Sequence, residues 1–218
     1  MPQRMAEPET QLLSSSARSI GISLSDMQLE QLIAYVDLLE KWNRTYNLTS
    51  IRDRQEMLLR HVLESLAVLP LLQGSNRLDV GTGAGIPGIP LAIADREFPY
   101  TLIDSNGKKT RFLAEVKRQL GLTNIQIETV RIESWQPKTV YDAVLTRAFA
   151  DVNTTLTRIS HVLSKEGSLY AMTTDSVAKV DSAIPDNMYL HQAKEIRVPG
   201  QDWSFNVMII GRSQGAVV

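Results

Sequence analysis

The feature that most constrains the fold of this chain is a glycine-rich segment directly after a short apolar stretch. The apolar stretch is Arg77-Leu-Asp-Val80, and the segment after it reads Gly81-Thr-Gly83-Ala-Gly85-Ile-Pro-Gly88. Glycines tolerate the positive φ angles of a sharp turn and let the backbone approach a ligand closely. Pro90 suits the first turn of a following helix, where its missing N–H costs no hydrogen bond. The segment therefore predicts a strand–turn–helix unit whose helix begins beside a ligand.

Strand-like apolar segments alternate with segments of helical periodicity over the rest of the chain. Strands are predicted at 100–104, 125–130, 142–146 and 168–173, and helices at 108–120 and 152–162. Residues 190–198 and 205–210 are predicted to pair as an antiparallel hairpin. Such alternation is typical of an α/β fold with a doubly wound, mostly parallel sheet and right-handed crossovers.

The first third of the chain has helical periodicity alone. One apolar helix face, with Ser25 as its candidate N-cap, is formed by Leu29, Leu32, Ile33, Val36 and Leu39. A second helix, ending near Pro70, is predicted to have a face made of Leu58, His61, Val62, Ser65 and Leu66. We therefore predict a helical extension over 1–72 and an α/β domain over 73–218 that form one integrated unit.

Composition excludes several classes of protein. Of the 218 residues 43% are hydrophobic, which is enough for a sizeable core. The absence of cysteine excludes a disulfide framework and a thiolate metal site, and we expect no metal. No apolar run is long enough to cross a bilayer, and Met1–Ser19 lacks the apolar core of a signal peptide. We therefore expect a cytoplasmic protein without membrane contact.

The charge of the chain limits how it can contact nucleic acid. Its formal net charge is −1, whereas non-specific nucleic-acid binders are usually strongly basic. Any RNA contact would need local patches, and two candidates are 41–61 and the group Lys108, Lys109, Arg111, Lys117 and Arg118. The first has five basic residues, Lys41, Arg44, Arg52, Arg54 and Arg60, against two acidic ones. On charge alone, both patches are interpreted as solvated helix faces.

Two classes of ligand fit the glycine loop. Gly83-x-Gly85-x-x-Gly88, with Asp104 downstream, matches the dinucleotide fingerprint of nicotinamide-dependent dehydrogenases. Asp79 followed by Gly81-x-Gly83-x-Gly85 matches the loop of S-adenosylmethionine binders. S-adenosylmethionine has no pyrophosphate, and its sulfonium and ammonium groups would be attracted by Asp79. Asp104, at the end of the second strand, can accept hydrogen bonds from the ribose hydroxyls. A purely structural turn with a capping Asp is the simplest alternative.

Beyond the loop, the sequence resembles the RsmG family, also called GidB, which methylates guanine N7 in small-subunit ribosomal RNA. The resemblance runs from about Gly21 to Ile210. Its markers are Lys41-Trp-Asn-x-x-Tyr-Asn-Leu-Thr49, Arg60-His61 with Glu64-Ser65, Asp79-Val-Gly-Thr-Gly-Ala-Gly-Ile-Pro-Gly-Ile-Pro90, Leu102-Ile-Asp-Ser105 with Lys108-Lys109, and Thr146-Arg-Ala-Phe149.

This resemblance implies a class I (Rossmann-like) methyltransferase fold, a seven-stranded sheet with an N-terminal helical extension. It also implies S-adenosylmethionine as cofactor and 16S ribosomal RNA or the small ribosomal subunit as partner; the oligomeric state stays open, with a monomer favoured. The cofactor contacts that it implies are Gly81, Ile86, Ile132, Glu133 and Arg147. Ile132 and Glu133 would lie beside the adenine.

Arg147 is the candidate catalytic residue. It follows the fourth predicted strand and would stand at the mouth of the pocket, outside the core, holding the phosphate of the target or stacking on its base. Its replacement is expected to leave the fold intact, and its structural alternative is a salt bridge. Guanine N7 has a lone pair and needs no general base, so positioning supplies much of the rate.

Other residues of the family motifs are expected to be structural. His61 is predicted to be packed rather than catalytic, and Trp42 to be a core or interface residue. Asn47 and Thr49 are predicted to cap a turn.

Two positions depart from the family pattern. Thr173-Thr174 stands where the family usually has Lys-Gly, and Phe205-Asn206 where it usually has Arg-His. Both changes remove positive charge from where RNA is expected, and Glu64 replaces an Asp. A non-enzymatic RNA- or ribosome-binding protein on the same fold therefore stays an alternative, as do a nucleotide-dependent dehydrogenase and a methyltransferase for a small molecule or protein.

Overall fold

The structure, a computed structural model, describes residues 6–198 and 200–212. The predicted extension therefore lies outside the described residues at 1–5, and the predicted α/β domain does so at 199 and 213–218. No helix within the described ranges is long and apolar enough to span a membrane.

The extension consists of three helices. Helix α1 spans Ala6–Ser19 and α2 spans Asp26–Tyr46. Helix α3 is continuous from α-helical Arg54–Glu56 through π-helical Met57–Leu63 to α-helical Glu64–Leu66, and a 3₁₀ turn follows at Leu69–Leu71. The predicted N-cap is confirmed. The Ser25 hydroxyl accepts a hydrogen bond from the backbone N–H of Gln28, and the Gln28 side chain accepts one from the backbone N–H of Ser25.

The remaining elements alternate as predicted. Strands are β1 (Arg77–Val80), β2 (Tyr100–Ile103), β3 (Ile125–Glu128), β4 (Tyr141–Arg147), β5 (Leu163–Thr173), β6 (Met188–Arg197) and β7 (Ser204–Arg212). Helices are α4 (Gly88–Ala94), α5 (Gly107–Leu120), α6 (Val152–Ile159) and α7 (Val177–Asp181), with a 3₁₀ turn at Ile132–Ser134. The sequence did not predict α7.

One seven-stranded sheet has the order β3-β2-β1-β4-β5-β7-β6. Strands β1 to β5 are parallel, and β7 is antiparallel to both β5 and β6, which confirms the predicted hairpin and fold class. Strand β5 begins five residues before the predicted position 168, because Leu163 pairs with Tyr141 ahead of a register shift. The carboxyl ends of β1, β2 and β4 thus meet at one edge, where ligands bind in such sheets.

The two faces of the sheet are covered by different elements. The extension, α4 and α5 share one apolar cluster on the first face, and α6 packs in a second cluster on the other. The buried Tyr35 hydroxyl of α2 donates to the backbone oxygen of Ala84 in the glycine loop, at 2.9 Å. The extension therefore packs directly against the segment that the sequence marks as the ligand loop.

Candidate active site

The glycine loop leaves β1 with three glycines in the left-handed region. Their φ angles are 67° at Gly81, 60° at Gly83 and 88° at Gly85. A Cβ on Gly83 would meet no protein atom closer than 3.8 Å, whereas one on Gly85 would lie 2.8 Å from the side chain of Leu113. Gly83 therefore faces open space, and Gly85 is required by packing.

Asp79 lies beneath this loop and is fully buried. Its Oδ2 accepts from the Thr82 hydroxyl at 2.6 Å and from the Gly88 N–H at 2.8 Å, while Oδ1 has no partner among the described residues. Burial raises the pKa of this carboxyl to about 7, against the lowering effect of the two hydrogen bonds. The structure thus places Asp79 as a support that ties both ends of the loop together. It does not line the adjoining cavities, so its direct contact with a cofactor stays a prediction, as does that of Gly85.

A cavity of about 270 Å³, here called the β1–β3 cavity, brings together Gly81, Asp104, Ile132 and Glu133. Asp104 accepts from the backbone N–H of Gly83 at 3.0 Å and of Asn106 at 2.8 Å. Since an ionised carboxylate has about four acceptor positions, Asp104 keeps capacity for a ligand. Ile132 is buried, and exposed Glu133 forms an ion pair with Arg158 at 3.0 Å. This cavity is thus lined by apolar Ile132 and by the carboxylates of Asp104 and Glu133.

A second cavity of about 800 Å³, the loop cavity, is lined by residues of both the glycine loop and the extension. Gly81, Gly83, Ile86 and Arg147 line it together with residues of α3. Every predicted cofactor contact except Asp79 and Gly85 therefore lines one of these two adjoining cavities.

A third cavity of about 630 Å³, the β4–β5 cavity, opens beside the ends of those strands. Ala148 lines all three cavities, so they meet at one residue. Its φ of 50° is uncommon for a residue other than glycine, and such strain is typical of functional sites. The sequence carries no signal for this conformation beyond the Thr146-Arg-Ala-Phe149 motif.

Arg147 is held by a buried network. Its guanidinium donates to the Arg60 backbone oxygen at 2.6 Å and to Glu64 Oε2 at 2.7 Å. The Trp203 indole donates to Glu64 Oε1 at 2.9 Å. Burial raises the pKa of Glu64, and the Arg147 charge opposes this rise.

This geometry corrects the expectation that Arg147 stands outside the core, where its replacement would leave the fold intact. Only 23% of its side chain is exposed, and its partner Glu64 is 5% exposed. Arg147 forms the salt bridge that was its structural alternative and also lines two cavities, so its catalytic role stays a prediction. The sequence missed Glu64 and Trp203, and the only signal for Glu64 was its place in the Arg60-His61-x-x-Glu64-Ser65 motif.

His61 is packed, as predicted. Its Nε2 lies 2.8 Å from the Thr49 hydroxyl, and burial lowers its pKa to about 3, so the ring is neutral. Trp42 packs against Phe112, with ring centroids 5.6 Å apart. Asn47 caps α2 in the left-handed region, and Thr49 Oγ1 accepts from the backbone N–H of Ile51, which confirms both predicted caps.

The basic patch at 41–61 is weaker than its composition suggests. Arg54 pairs with Glu9 at 2.7 Å, with Asp37 at 2.7 Å and with Glu40 at 3.3 Å. Glu40 also pairs with Arg44 at 2.8 Å. These acidic residues lie outside the counted segment in sequence but beside it in space. On α5, Arg118 pairs with Glu115, which leaves Lys108 and Arg111 as exposed cations without an ion pair among the described residues.

The described part of the chain holds no group of three or more His, Cys, Asp or Glu side chains that is suited to a metal. Within the site, the acidic groups instead bind backbone N–H groups and arginines.

Comparison with known proteins decides the family. The family model described as rRNA small subunit methyltransferase G (GidB) matches residues 28–204. The chain belongs to the GidB family. Relatives in this family include the ribosomal RNA small subunit methyltransferases G of Salmonella typhimurium and Salmonella typhi. Each is 42% identical over 198 residues, which cover 91% of this chain and 96% of the relative. The resemblance seen in the sequence is thereby confirmed.

Solved structures of distant methyltransferases share the fold of this GidB member. The magnesium protoporphyrin IX methyltransferase of Synechocystis matches with a TM-score of 0.58 at 13% identity, over 82% of this chain and 97% of that one. TYW2 of M. jannaschii matches with a TM-score of 0.55 at 14% identity, over 70% of this chain and 76% of that one. At such identities the likeness concerns the class I fold alone.

Proposed function

We propose that this chain transfers a methyl group from S-adenosylmethionine to guanine N7 in the 16S ribosomal RNA of the small ribosomal subunit. The observation that carries the proposal is the meeting of three cavities at Ala148. This arrangement lets a cofactor and a target base approach each other from two sides. Membership of a methyltransferase family supports the chemistry, and the names of the Salmonella relatives support the RNA substrate.

The residues present fit S-adenosylmethionine. Ile132 and Glu133 border a space for the adenine, and Asp104 has acceptor positions for the ribose hydroxyls. The open face of Gly83 and the neighbouring Ile86 would hold the methionine part in the loop cavity.

A dinucleotide fits the same loop less well. The Gly88 N–H at the start of α4 is already bound to the Asp79 carboxylate at 2.8 Å. A pyrophosphate needs free N–H groups at that helix end, and this one is already engaged. The dehydrogenase alternative is therefore disfavoured.

The chain's own residues supply position rather than proton transfer. S-adenosylmethionine supplies a methyl group made electrophilic by its sulfonium. Glu64 is engaged by Arg147 and Trp203, and His61, with a pKa of about 3, is a poor base. Guanine N7 already has its lone pair and needs no base, so an engaged Glu64 and a neutral His61 are consistent with this target. Phe149 gives the β4–β5 cavity an apolar wall, and Arg147 offers it guanidinium donors.

We place the enzyme in the cytoplasm as a monomer, acting without a metal on 16S RNA or on the small subunit. The test is transfer of labelled methyl groups from S-adenosylmethionine to small subunits, and to deproteinised 16S RNA, from cells that lack the protein. We expect one N7-methylguanine, mapped by borohydride and aniline cleavage of the RNA. Cofactor binding without transfer to either substrate would favour the binding-only alternative that Thr173 and Phe205 keep open.

A further inference from the structure

The Arg60-His61-x-x-Glu64-Ser65 motif of α3 has a site role that the cofactor contacts do not explain. Glu64 binds Arg147 and Trp203, as described above. The guanidinium carbon of Arg60 lies over the Trp203 ring, 4.0 Å from its centroid, at the distance of a cation–π contact. Arg60, Glu64 and Trp203 all line the β4–β5 cavity.

The cations of this cavity differ in whether they are neutralised. Arg147 is paired with Glu64 at 2.7 Å, and Lys179 is paired with Asp175 at 2.7 Å. Arg60 is the third basic residue of the lining and forms no ion pair within the described ranges. Thr173 and Phe205 in the same lining are uncharged. Arg60 is therefore the cation of this lining that has no acidic partner among the described residues, while Asp151 of the lining caps α6 by accepting from the Thr154 N–H.

The position of Arg60 suits contact with a polymer that enters the cavity. Arg60 lines both the β4–β5 cavity and the loop cavity, so it lies between them. Stacking on Trp203 fixes the planar guanidinium, and the Trp203–Glu64 hydrogen bond fixes the indole in turn. A guanidinium held in advance loses little side-chain entropy when it binds, and its fork of N–H donors matches phosphate oxygens.

We propose that Arg60, supported by Trp203, binds a phosphate of the RNA strand next to the methylated guanine. This inference rests on the proposed RNA substrate. It assigns this contact to Arg60 rather than to Arg147, because the charge of Arg147 is offset by Glu64.

The test compares Arg60→Met with the parent in binding to 16S RNA over a potassium chloride series. Methionine keeps an apolar contact with Trp203 and removes the charge together with the guanidinium N–H donors. The slope of log affinity against log salt should become shallower by about one unit, as expected for one lost phosphate contact. Arg60→Lys should keep the parent slope. Arg44→Met is the matched control, since Arg44 is exposed and already paired with Glu40.

The readouts separate the possible failures. Arg60→Met should still fold and bind S-adenosylmethionine, with a small drop in melting temperature from the lost contact with Trp203, because the backbone oxygen that binds Arg147 is retained. A parent slope in folded Arg60→Met overturns the role of Arg60. If that variant does not fold, Arg60→Gln takes its place. The role of Arg60 is also overturned if the salt slope becomes shallower by the same amount in Arg44→Met. A parent protein that binds and methylates no ribosomal RNA overturns the proposed function instead.

Discussion

At the scale of single residues, the loop glycines differ in what they face. Gly83 and Gly121 have nearly equal φ angles, 60° and 62°. A Cβ added to either glycine would lie at least 3.8 Å from every neighbouring atom among the described residues. Gly121 caps the end of α5, whereas Gly83 lines the loop cavity. The two positions therefore share a backbone cost, but Gly83 alone of the two lines the loop cavity.

We predict that Gly83→Val abolishes S-adenosylmethionine binding while the chain still folds. The side chain would occupy space that the cofactor needs, and the left-handed backbone would add roughly 2 kcal/mol of destabilisation. Gly121→Val should have a similar loss of stability and normal binding. Calorimetric titration with S-adenosylmethionine and with NAD, alongside melting curves, checks this. Tight S-adenosylmethionine binding by folded Gly83→Val would show that the cofactor lies elsewhere.

Asp79 gives a prediction about pH. Its folded pKa of about 7 exceeds the usual 3.8, so between these values the folded chain keeps a proton that the unfolded chain releases. The free energy of unfolding therefore falls as pH rises through this window, by at most about 1.4 kcal/mol per pH unit, and levels off above it. In Asp79→Asn the side chain does not titrate, so this fall in the free energy of unfolding is absent. Its stability relative to the parent should rise from pH 4 to 7 in urea titrations, and a constant difference would contradict the assignment. The lowered pKa of His61 makes the free energy of unfolding rise with pH, but it does so in the parent and in the variant, so it cancels in their difference.

At the scale of elements, the sequence predicts what local patterns determine. The Ser25 cap, the start of β1 and the hairpin of β6 and β7 follow from periodicity and turn chemistry, and the structure has them. The partners of α3 could not be predicted in the same way. Glu64 meets Trp203 across 139 positions of sequence, and no local pattern specifies which strand end faces which helix.

The salt bridge between Glu64 of α3 and Arg147 of β4 gives a prediction in which effects on stability and on catalysis can be separated. We predict that Arg147→Ala lowers methyl transfer at least about tenfold, or about 1.4 kcal/mol of transition-state stabilisation. It should also destabilise the fold by about 1–3 kcal/mol, because Glu64 would keep a buried carboxylate without its partner. The double variant Arg147→Ala with Glu64→Gln should regain stability without regaining activity. If the double variant regained both stability and methyl-transfer activity, the role of Arg147 would be structural only.

At the scale of the whole molecule, the extension is part of the same core as the sheet. Its apolar residues share one cluster with α4, α5 and one face of the sheet. Gln28 and Gln31 of α2 bind backbone oxygens of Ile93 and Leu120 at 3.2 Å and 2.7 Å, at the ends of α4 and α5. The site itself lies where the extension, the loop and β4 meet. A cofactor-binding domain alone would therefore lack one wall of the loop cavity.

We predict that the extension and the α/β domain unfold in one cooperative transition. Trp42 lies on α2 against Phe112 of α5, so a variant with Trp42 as its only tryptophan reports on the extension, while far-UV circular dichroism reports on the whole chain. The two urea transitions should coincide, as two-state unfolding requires. Ser25→Ala, which removes the cap of α2, should shift both transitions together by about 1 kcal/mol. An earlier transition of Trp42 alone, moved separately by Ser25→Ala, would mean that the extension is an independent unit.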